Sequence, residues 1–273
     1  MRKALLATLL CLPATAPAES AGAFRFAVIG DTGTGGKAQR EVAERLEGLR
    51  RDYPFDTVLM LGDNLYGSQK PADFRSKFER PYAPLLSAGV QFFAVLGNHD
   101  QASQQAYEAF HMGGRSYYSF RPDPSVRFIG LDSNRMDQTQ LDWLEAELTR
   151  AREEWKIVFF HHPIYSSGAR HGSDLALRKA LEPLFVKYGV TLALSGHDHF
   201  YERIKPQQGV HYFVAGGAAK LRAGNVRISP LTAKAFDTDQ SFLVMEIRDG
   251  QLHFRAMSRS GQTVDEGVIT RPH

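Results

Sequence analysis

The sequence predicts an α/β fold with an antiparallel addition at its C-terminal end. Six apolar runs that are typical of strands alternate with helical patterns along most of the 273 residues. The runs are almost continuously apolar, which indicates strands that are covered on both faces. Near the C-terminus, two further runs flank Asp249-Gly250, a dipeptide that favours a two-residue hairpin turn. Because loops after the carboxyl ends of strands carry the chemistry in such folds, we expect the site there.

The predicted elements follow one another in a regular order. Strands are predicted over residues 24–30, 55–62, 90–97, 126–132, 155–160 and 190–196. Helices are predicted over residues 37–51, 72–80 and 101–111, from Asp137 onward, and from 173 to 188. The D-x-x-Q spacing from Asp137 to Gln140 predicts a capping box, and the leucines that follow repeat on one helix face. The last helix is expected to end at Gly189.

The N-terminal residues 1–18 are interpreted as a signal peptide. A basic pair precedes an apolar run over residues 4–12, and Ala16-Pro17-Ala18 fits an A-x-A cleavage site. The run is too short to span a bilayer, which needs about 20 apolar residues. We therefore expect a periplasmic or secreted protein in which residues 19–273 form one catalytic domain.

The amino-acid composition limits which classes of binding partner are expected. With 43% hydrophobic and 23% charged residues, the chain is typical of a soluble globular protein. Without the predicted signal peptide, 31 basic residues stand against 30 acidic ones. This balance gives no reason to expect nucleic acid or stable membrane association. The single cysteine, Cys11, lies inside the predicted signal peptide, so no disulfide is expected in the mature chain.

Five of the predicted strands end on side chains that offer an oxygen or an imidazole. They are followed by Gly30-Asp31, Gly62-Asp63, Gly97-Asn98-His99-Asp100, His161-His162 and Gly196-His197-Asp198-His199. Turns often contain Gly, Asp and Asn, which explains any one of these ends but not histidines at three of them. Carboxylates, an amide oxygen and imidazoles together suit one or two borderline-to-hard metal ions.

These blocks resemble the calcineurin-like metallophosphoesterases, and among them the small, single-domain purple acid phosphatases of the tartrate-resistant type. The blocks of that family are GD, GDxxY, GNH followed by Asp or Glu, VxxH and GHxH. They stand here in order, at 30–31, 62–66, 97–100, 158–161 and 196–199. In the family, the tyrosine of GDxxY, here Tyr66, distinguishes the purple enzymes. The resemblance implies a four-layer αββα sandwich of two mixed sheets with flanking helices.

The resemblance also implies a dinuclear metal site that hydrolyses small phosphate monoesters. The ligands of the first ion, expected to be Fe(III), would be Asp31, Asp63, Tyr66 and His199. The ligands of the second ion, expected to be Fe(II), Zn(II) or Mn(II), would be Asp63, Asn98, His161 and His197. A metal-bound hydroxide would attack phosphorus in line, since both ions lower the pKa of bound water from about 15.7.

Two further histidines are expected to act on the substrate. By resemblance, His99 would bind the phosphate or protonate the leaving oxygen, as a general acid does. His171 is a second candidate, because the family places a histidine nine or ten residues after that of VxxH. His162 is interpreted as a hydrogen-bonded neighbour, and Asp100 as a residue behind the ligands.

Other functions fit part of the pattern. One alternative is a phosphodiesterase or nucleotidase of the same fold with two Mn or Zn ions. Another is a non-enzymatic periplasmic metal-binding protein, which would not need His99. The stretch Gly33 to Ala38 matches the dinucleotide fingerprint G-x-G-x-x-A, but that interpretation leaves four of the five blocks unexplained. The loops 67–90, 112–126 and 216–240 are expected to shape the substrate pocket.

Overall fold

The computed structural model describes residues 22–271, so the predicted signal peptide and its cleavage site lie outside the described residues. In chain order, the strands of this range are β1 Phe24–Ile29, β2 Thr57–Met60, β3 Gln91–Ala94, β4 Tyr118–Asp123, β5 Val126–Gly130, β6 Trp155–Phe160, β7 Leu192–Ser195, β8 Tyr201–Gln207, β9 Val210–Ala215, β10 Thr232–Phe236, β11 Ser241–Arg248, β12 Gln251–Ser258 and β13 Thr263–Thr270. The α-helices are α1 Lys37–Asp52, α2 Pro71–Phe74, α3 Ala83–Ser87, α4 Gln138–Arg150 and α5 Leu175–Tyr188. Nowhere between residues 22 and 271 is a helix both long and apolar enough to cross a membrane.

The strands form two mixed sheets. The first sheet has the order β13-β12-β11-β1-β2-β3, in which β1, β2 and β3 are parallel and the other pairs antiparallel. The second has the order β10-β8-β9-β7-β6-β5-β4, with a parallel centre from β9 to β5 and antiparallel margins. Each sheet therefore brings the carboxyl ends of its central strands to one edge.

Alternating side chains divide the interior into two cores. Along β6, Ile157 and Phe159 belong to the core between the sheets, whereas Val158 and Phe160 pack in a second core with α4 and α5. Between the sheets, the rings of Phe26 and Phe128 meet edge to face with centres 5.1 Å apart. Helix α1 packs Val42, Ala43 and Leu46 into the cluster that contains the strands of the first sheet. This is the predicted αββα sandwich.

The structure confirms all six predicted strands and most of the predicted helices. Asp137 accepts a hydrogen bond from the Gln140 amide at 3.1 Å and so caps α4. The capping box is not completed, because the Gln140 side chain instead accepts from the Asp132 amide at 2.8 Å. Helix α5 ends at Gly189, which adopts φ 65°, and Asp249 begins the predicted hairpin turn with φ 50°.

The predicted helix over 101–111 is wrong. Two 3-10 turns, Ala102–Ala106 and Glu108–Phe110, occupy this range. The amide of Gln104 points inward and donates to Asp100 at 2.7 Å, and the turn ends at His111, which has φ 50°. The segment is therefore shaped by polar contacts to the site rather than by an apolar helix face. The predicted helix over 72–80 is present, but it continues from α2 as a π-helix, Arg75–Glu79.

Five strands were not predicted: β4, β8, β9, β10 and β13. Most of them lie at the sheet margins, where polar side chains such as Arg121 and Lys234 are exposed and break the apolar runs. Two of the three ranges expected to be pocket loops, 112–126 and 216–240, therefore contain the edge strands β4 and β10.

Candidate metal centre

The carboxyl ends of β1, β2 and β3 meet those of β6 and β7 at one edge of the sandwich. Hydrogen bonds join the two sheets there. The His197 amide donates to Asp31 Oδ2 at 2.9 Å, and His161 Nδ1 lies 2.9 Å from the Leu61 carbonyl oxygen. Five blocks that are far apart in sequence thus come together, and their side chains form two adjacent clusters.

The first cluster, named here the carboxylate–phenol cluster, consists of Asp31, Asp63, Tyr66 and His199. Asp31 Oδ1 lies 3.1 Å from the Tyr66 hydroxyl and 3.3 Å from His199 Nε2. The Tyr66 hydroxyl lies 3.4 Å from the same His199 nitrogen. Donor atoms of Asp31, Asp63 and His199 all lie within 4.8 Å of one another, so these three side chains can hold one ion.

The second cluster, named here the imidazole cluster, consists of Asn98, His161 and His197. Asn98 Oδ1 is 3.0 Å from His161 Nε2 and 3.0 Å from His197 Nδ1, and the two ring nitrogens are 3.2 Å apart. Asp63 Oδ1 lies 3.5 Å from His161 Nε2 and connects the two clusters. Two groups that can each hold an ion therefore share one carboxylate.

The donor set of the imidazole cluster fits a cation. His161 Nδ1 must carry the ring proton, because its partner, the Leu61 carbonyl oxygen, can only accept. The lone pair at Nε2 then faces the amide oxygen of Asn98 and the carboxylate oxygen of Asp63. His161 Nε2, Asn98 Oδ1 and Asp63 Oδ1 are thus three acceptor atoms that face one another. No proton lies between the His161 ring nitrogen and the two oxygens. A positive ion among them would turn this repulsion into attraction.

Burial strengthens this fit, because it keeps the rings neutral. Burial lowers the pKa of His161 well below its usual range, that of His197 to about 2 and that of His199 to about 4. Burial, and then the charge of Asp63, raises the pKa of Asp31 well above its usual range. Unprotonated imidazoles are the form that binds metals, and a cation would relieve the repulsion between the two carboxylates.

The backbone at the site is strained at three non-glycine residues. Asp31, Asp63 and His197 adopt left-handed φ angles of 57°, 52° and 67°. Such conformations cost about 1–3 kcal/mol each and concentrate at functional sites. Gly62, with φ 88°, has no room for a side chain, since a Cβ there would lie 2.7 Å from His161 Nδ1. Gly97 and Gly196 are confined in the same way by Asp63 and Asp31, whereas a Cβ at Gly30 would meet the Ala215 carbonyl oxygen.

The two histidines expected to act on substrate lie against different clusters. His99 is exposed, and its ring centre is 5.0 Å from that of Tyr66. Its backbone N–H donates to Asp63 Oδ1 at 3.0 Å, which positions the residue beside the carboxylate–phenol cluster. His171 is also exposed, and its ring centre is 4.2 Å from that of His197.

His162 is a hydrogen-bonded neighbour, as predicted, since its Nδ1 lies 2.9 Å from Ser133 Oγ, which also accepts from the His161 amide. It also has a donor nitrogen within 4.8 Å of those of His161 and His197, so it is close enough to contribute to the imidazole cluster. Asp100 lies behind the proposed ligands, as predicted. Its carboxylate accepts from the backbone amides of Asn64, Leu65 and Gly97 and so links the turns after β2 and β3.

Two residues have supporting roles that the sequence analysis did not assign. Ser133 Oγ accepts from the amides of His161 and His162 at 3.2 and 3.0 Å. In the sequence, the position of Ser133 directly after the predicted strand 126–132 could have identified it. Asp198 is buried, and its Oδ2 accepts from Ser166 Oγ at 2.5 Å and from the Gly172 amide at 3.2 Å. Asp198 therefore holds the loop that carries His171 against the end of β7.

Comparison with known proteins decides the family. Residues 24–201 match the family model described as calcineurin-like phosphoesterase. The chain belongs to this family. The phosphoesterase is 31% identical to tartrate-resistant acid phosphatase type 5 of Rattus norvegicus, in an alignment that covers 94% of this chain and 92% of that protein. It is thus an acid phosphatase-like metallophosphoesterase related to the purple acid phosphatases, as its sequence predicted.

Solved structures confirm the fold of this phosphoesterase. A purple acid phosphatase from yellow lupin seeds superposes with a TM-score of 0.74 at 19% identity, over 93% of this chain and 55% of the lupin chain. The anchor protein in the inner membrane complex of Plasmodium superposes with a TM-score of 0.77 at 21% identity, over 92% of this chain and 90% of that one. At these identities the likeness concerns the fold alone, and the site must carry the functional argument.

Proposed function

We propose that this phosphoesterase hydrolyses phosphate monoesters at a dinuclear metal centre formed by the two clusters. The observation that carries the proposal is the sharing of Asp63. Its Oδ1 lies 3.5 Å from His161 Nε2, and a carboxylate oxygen of Asp63 also lies within 4.8 Å of donor atoms of Asp31 and His199. One carboxylate can therefore bridge two ions, which is the arrangement of two-metal hydrolytic sites.

The donors divide between the ions as follows. The carboxylate–phenol cluster would hold Fe(III) through Asp31, Asp63, Tyr66 and His199. The imidazole cluster would hold Fe(II), Zn(II) or Mn(II) through Asp63, Asn98, His161 and His197. When bound, the ions supply a nucleophilic water of lowered pKa and neutralise charge on the phosphate oxygens.

The residues around the clusters would position the ester and move its proton. His99 has its backbone anchored to Asp63 Oδ1, while its ring is exposed beside Tyr66. We assign it the general acid, whose ring nitrogen gives a proton to the leaving oxygen. His171 lies against the ring of His197, on the loop held by Asp198, and would donate a hydrogen bond to the phosphate.

We propose that the protein acts outside the cytoplasm, with a mature chain that begins near Glu19. This rests on the basic, apolar and A-x-A segments of residues 1–18. N-terminal sequencing of exported protein should show Glu19 or a neighbour as the first residue. Retention of residues 1–18 in that material would contradict export through this signal.

Assays with p-nitrophenyl phosphate and its bis-p-nitrophenyl diester test the proposed reaction on protein purified without added metal. Turnover of the monoester in excess of the diester, lost on chelation and regained with metal, is expected. Faster turnover of the diester would favour a phosphodiesterase. No turnover of either ester, in protein that contains two metal ions, would indicate a metal-binding protein without this activity.

A further inference from the structure

The hydroxyl oxygen of Ser133 takes part in three hydrogen bonds beside the imidazole cluster. It accepts from the backbone amides of His161 and His162 at 3.2 and 3.0 Å. It also lies 2.9 Å from Nδ1 of the His162 ring. A serine hydroxyl offers two acceptor lone pairs and one proton. Because the two amides use both lone pairs, the third hydrogen bond must be the one that Ser133 donates.

This hydrogen bond determines where the neutral His162 ring carries its proton. Nδ1 accepts the proton of the Ser133 hydroxyl, so the ring proton of His162 is at Nε2. His161 has the opposite arrangement, because the Leu61 carbonyl oxygen keeps its ring proton at Nδ1. The two consecutive histidines after β6 therefore present different groups: His161 presents a lone pair, and His162 presents an N–H.

The Nε2–H group of His162 lies beside the imidazole cluster and is available to a ligand. A ring nitrogen of His162 lies within 4.8 Å of ring nitrogens of His161 and His197. The ring centres of His162 and His197 are 4.5 Å apart. The His162 side chain is half-buried, and no group within residues 22–271 accepts a hydrogen bond from its Nε2.

Its distance from the cluster alone would make His162 a third imidazole ligand of the divalent ion. The ring proton opposes that role, because metals bind the unprotonated nitrogen of a neutral imidazole. Moving the proton to Nδ1 would bring it against the Ser133 oxygen, whose lone pairs already accept from two amides. An N–H group suits an anionic oxygen instead, and in the proposed reaction the phosphate supplies such oxygens beside this cluster.

We propose that His162 is a substrate-binding residue, whose Nε2–H donates a hydrogen bond to an oxygen of the phosphate at the imidazole cluster. Ser133 is then a positioning residue, because its hydroxyl keeps the ring proton of His162 at Nε2. The proposal rests on the proposed function, since it takes the two clusters as the place of the phosphate. Neighbouring histidines thus divide two tasks, with His161 binding the metal and His162 the substrate.

Two carboxamide replacements of His162 separate the roles of its ring nitrogens. A glutamine can place an N–H near the position of Nε2, whereas an asparagine reaches only the position of Nδ1. His162→Asn should lower kcat/KM for p-nitrophenyl phosphate by about 10- to 100-fold, as expected for the loss of a hydrogen bond to a charged oxygen. His162→Gln should keep most of the wild-type value, and both variants should keep the wild-type metal content. The control is His253→Asn on β12, outside both clusters, which should change neither quantity.

Loss of the divalent ion from His162→Asn would overturn the proposal, because it would make His162 a ligand. Unchanged kcat/KM in His162→Asn would remove the residue from substrate binding. Equal losses in the asparagine and glutamine variants, with metal retained, would assign the ring a packing role and would also overturn the proposal.

Long-range ¹H–¹⁵N NMR of the histidine rings, on protein loaded with diamagnetic zinc, reads the position of the proton directly. The Nε2–H form of His162 is expected in the wild type and in Ser133→Thr, which keeps the hydroxyl, and a mixture of both forms in Ser133→Ala. A wild-type ring protonated at Nδ1 would overturn the proposal.

Calorimetric titration of the metal-loaded enzyme with inorganic phosphate separates this proposal from the proposed function. Phosphate should bind to His162→Asn at least about tenfold more weakly than to the wild type. If the enzyme turns over no ester but this difference in binding is found, the His162 contact stands and the proposed reaction fails. Equal binding of phosphate to both proteins would exclude the contact.

Discussion

The two clusters share Asp63 but differ in the chemistry of their other donors. The carboxylate–phenol cluster adds a second carboxylate, a phenol and one imidazole. The imidazole cluster adds two imidazoles and an amide oxygen, all of them neutral. Charged oxygen donors suit a hard, highly charged ion, whereas imidazoles suit borderline divalent ions. This difference supports the proposal that the centre holds two unlike ions rather than two ions of one kind.

Tyr66 adds to the chemical difference between the two clusters. Burial, and then the charges of Asp31 and Asp63, raise the pKa of the Tyr66 phenol far above its usual range of about 10. Without metal the phenol keeps its proton, so only a strong Lewis acid would ionise it. Fe(III) is such an acid, and Zn(II) and Mn(II) are poor ones. The imidazole cluster makes no comparable demand, because burial already keeps its rings unprotonated.

Asp63→Ala removes the one carboxylate that both clusters share. Both ions should bind weakly, and activity should fall by more than about 10³-fold, beyond the 10–100-fold typical of residues behind the ligands. Metal analysis and the p-nitrophenyl phosphate assay provide the measurement. Asp56→Ala is the control, since Asp56 is an exposed partner of Arg50. Retention of two ions in Asp63→Ala would show that the clusters are independent.

His99→Ala separates holding the metals from acting on the substrate. Because the His99 ring forms no hydrogen bond to a proposed ligand, both ions should remain while kcat falls by roughly 10²–10⁴-fold. The loss should shrink for esters with good leaving groups, which need no proton. A parallel loss of metal content would make His99 a ligand, and a loss independent of leaving group would remove it as the general acid.

Asn98→Ala acts on one cluster alone. Its amide oxygen contacts both rings of the imidazole cluster, so affinity for the divalent ion should fall by about 10–100-fold while the first ion stays bound. Titration of the purified variant with Zn(II) or Mn(II), followed by activity, measures the change. Asn134→Ala serves as control, because the Asn134 amide bonds to Leu96 and Asp132 outside both clusters. Loss of both ions together would contradict the division between the clusters.

The metal ions should stay bound until the pH is well below neutral. Protons compete with metals for imidazole nitrogens, and a lowered pKa means that the unprotonated ring persists to lower pH. With the pKa of His199 at about 4 and that of His197 at about 2, both rings stay unprotonated at pH values above about 5. Metal content after dialysis should therefore be unchanged from neutral pH down to that point. Release with a midpoint near the usual histidine pKa of about 6.5 would contradict the role of burial.

The sequence predicted the two clusters better than it predicted their surroundings. Glycine and a donor after an apolar strand form a local pattern, and parallel strands bring such patterns to one edge. The roles of Ser133 and Asp198 depend on contacts between separate loops, which no local pattern reports. The prediction of a helix over 101–111 was wrong for the same reason, since the Gln104 side chain turns toward Asp100.

The visible absorption spectrum of protein purified without added metal, together with its metal content, tests most directly whether the two clusters hold unlike ions. A Tyr66 phenolate on Fe(III) absorbs visible light, so the protein should be violet to pink and contain one iron with a second iron, zinc or manganese. Tyr66→Phe should bleach the colour and reduce activity less than Asp63→Ala does. A colourless wild type with two zinc or two manganese ions would contradict the proposal that the clusters hold unlike ions. Colour that survives in Tyr66→Phe would assign the chromophore to another group.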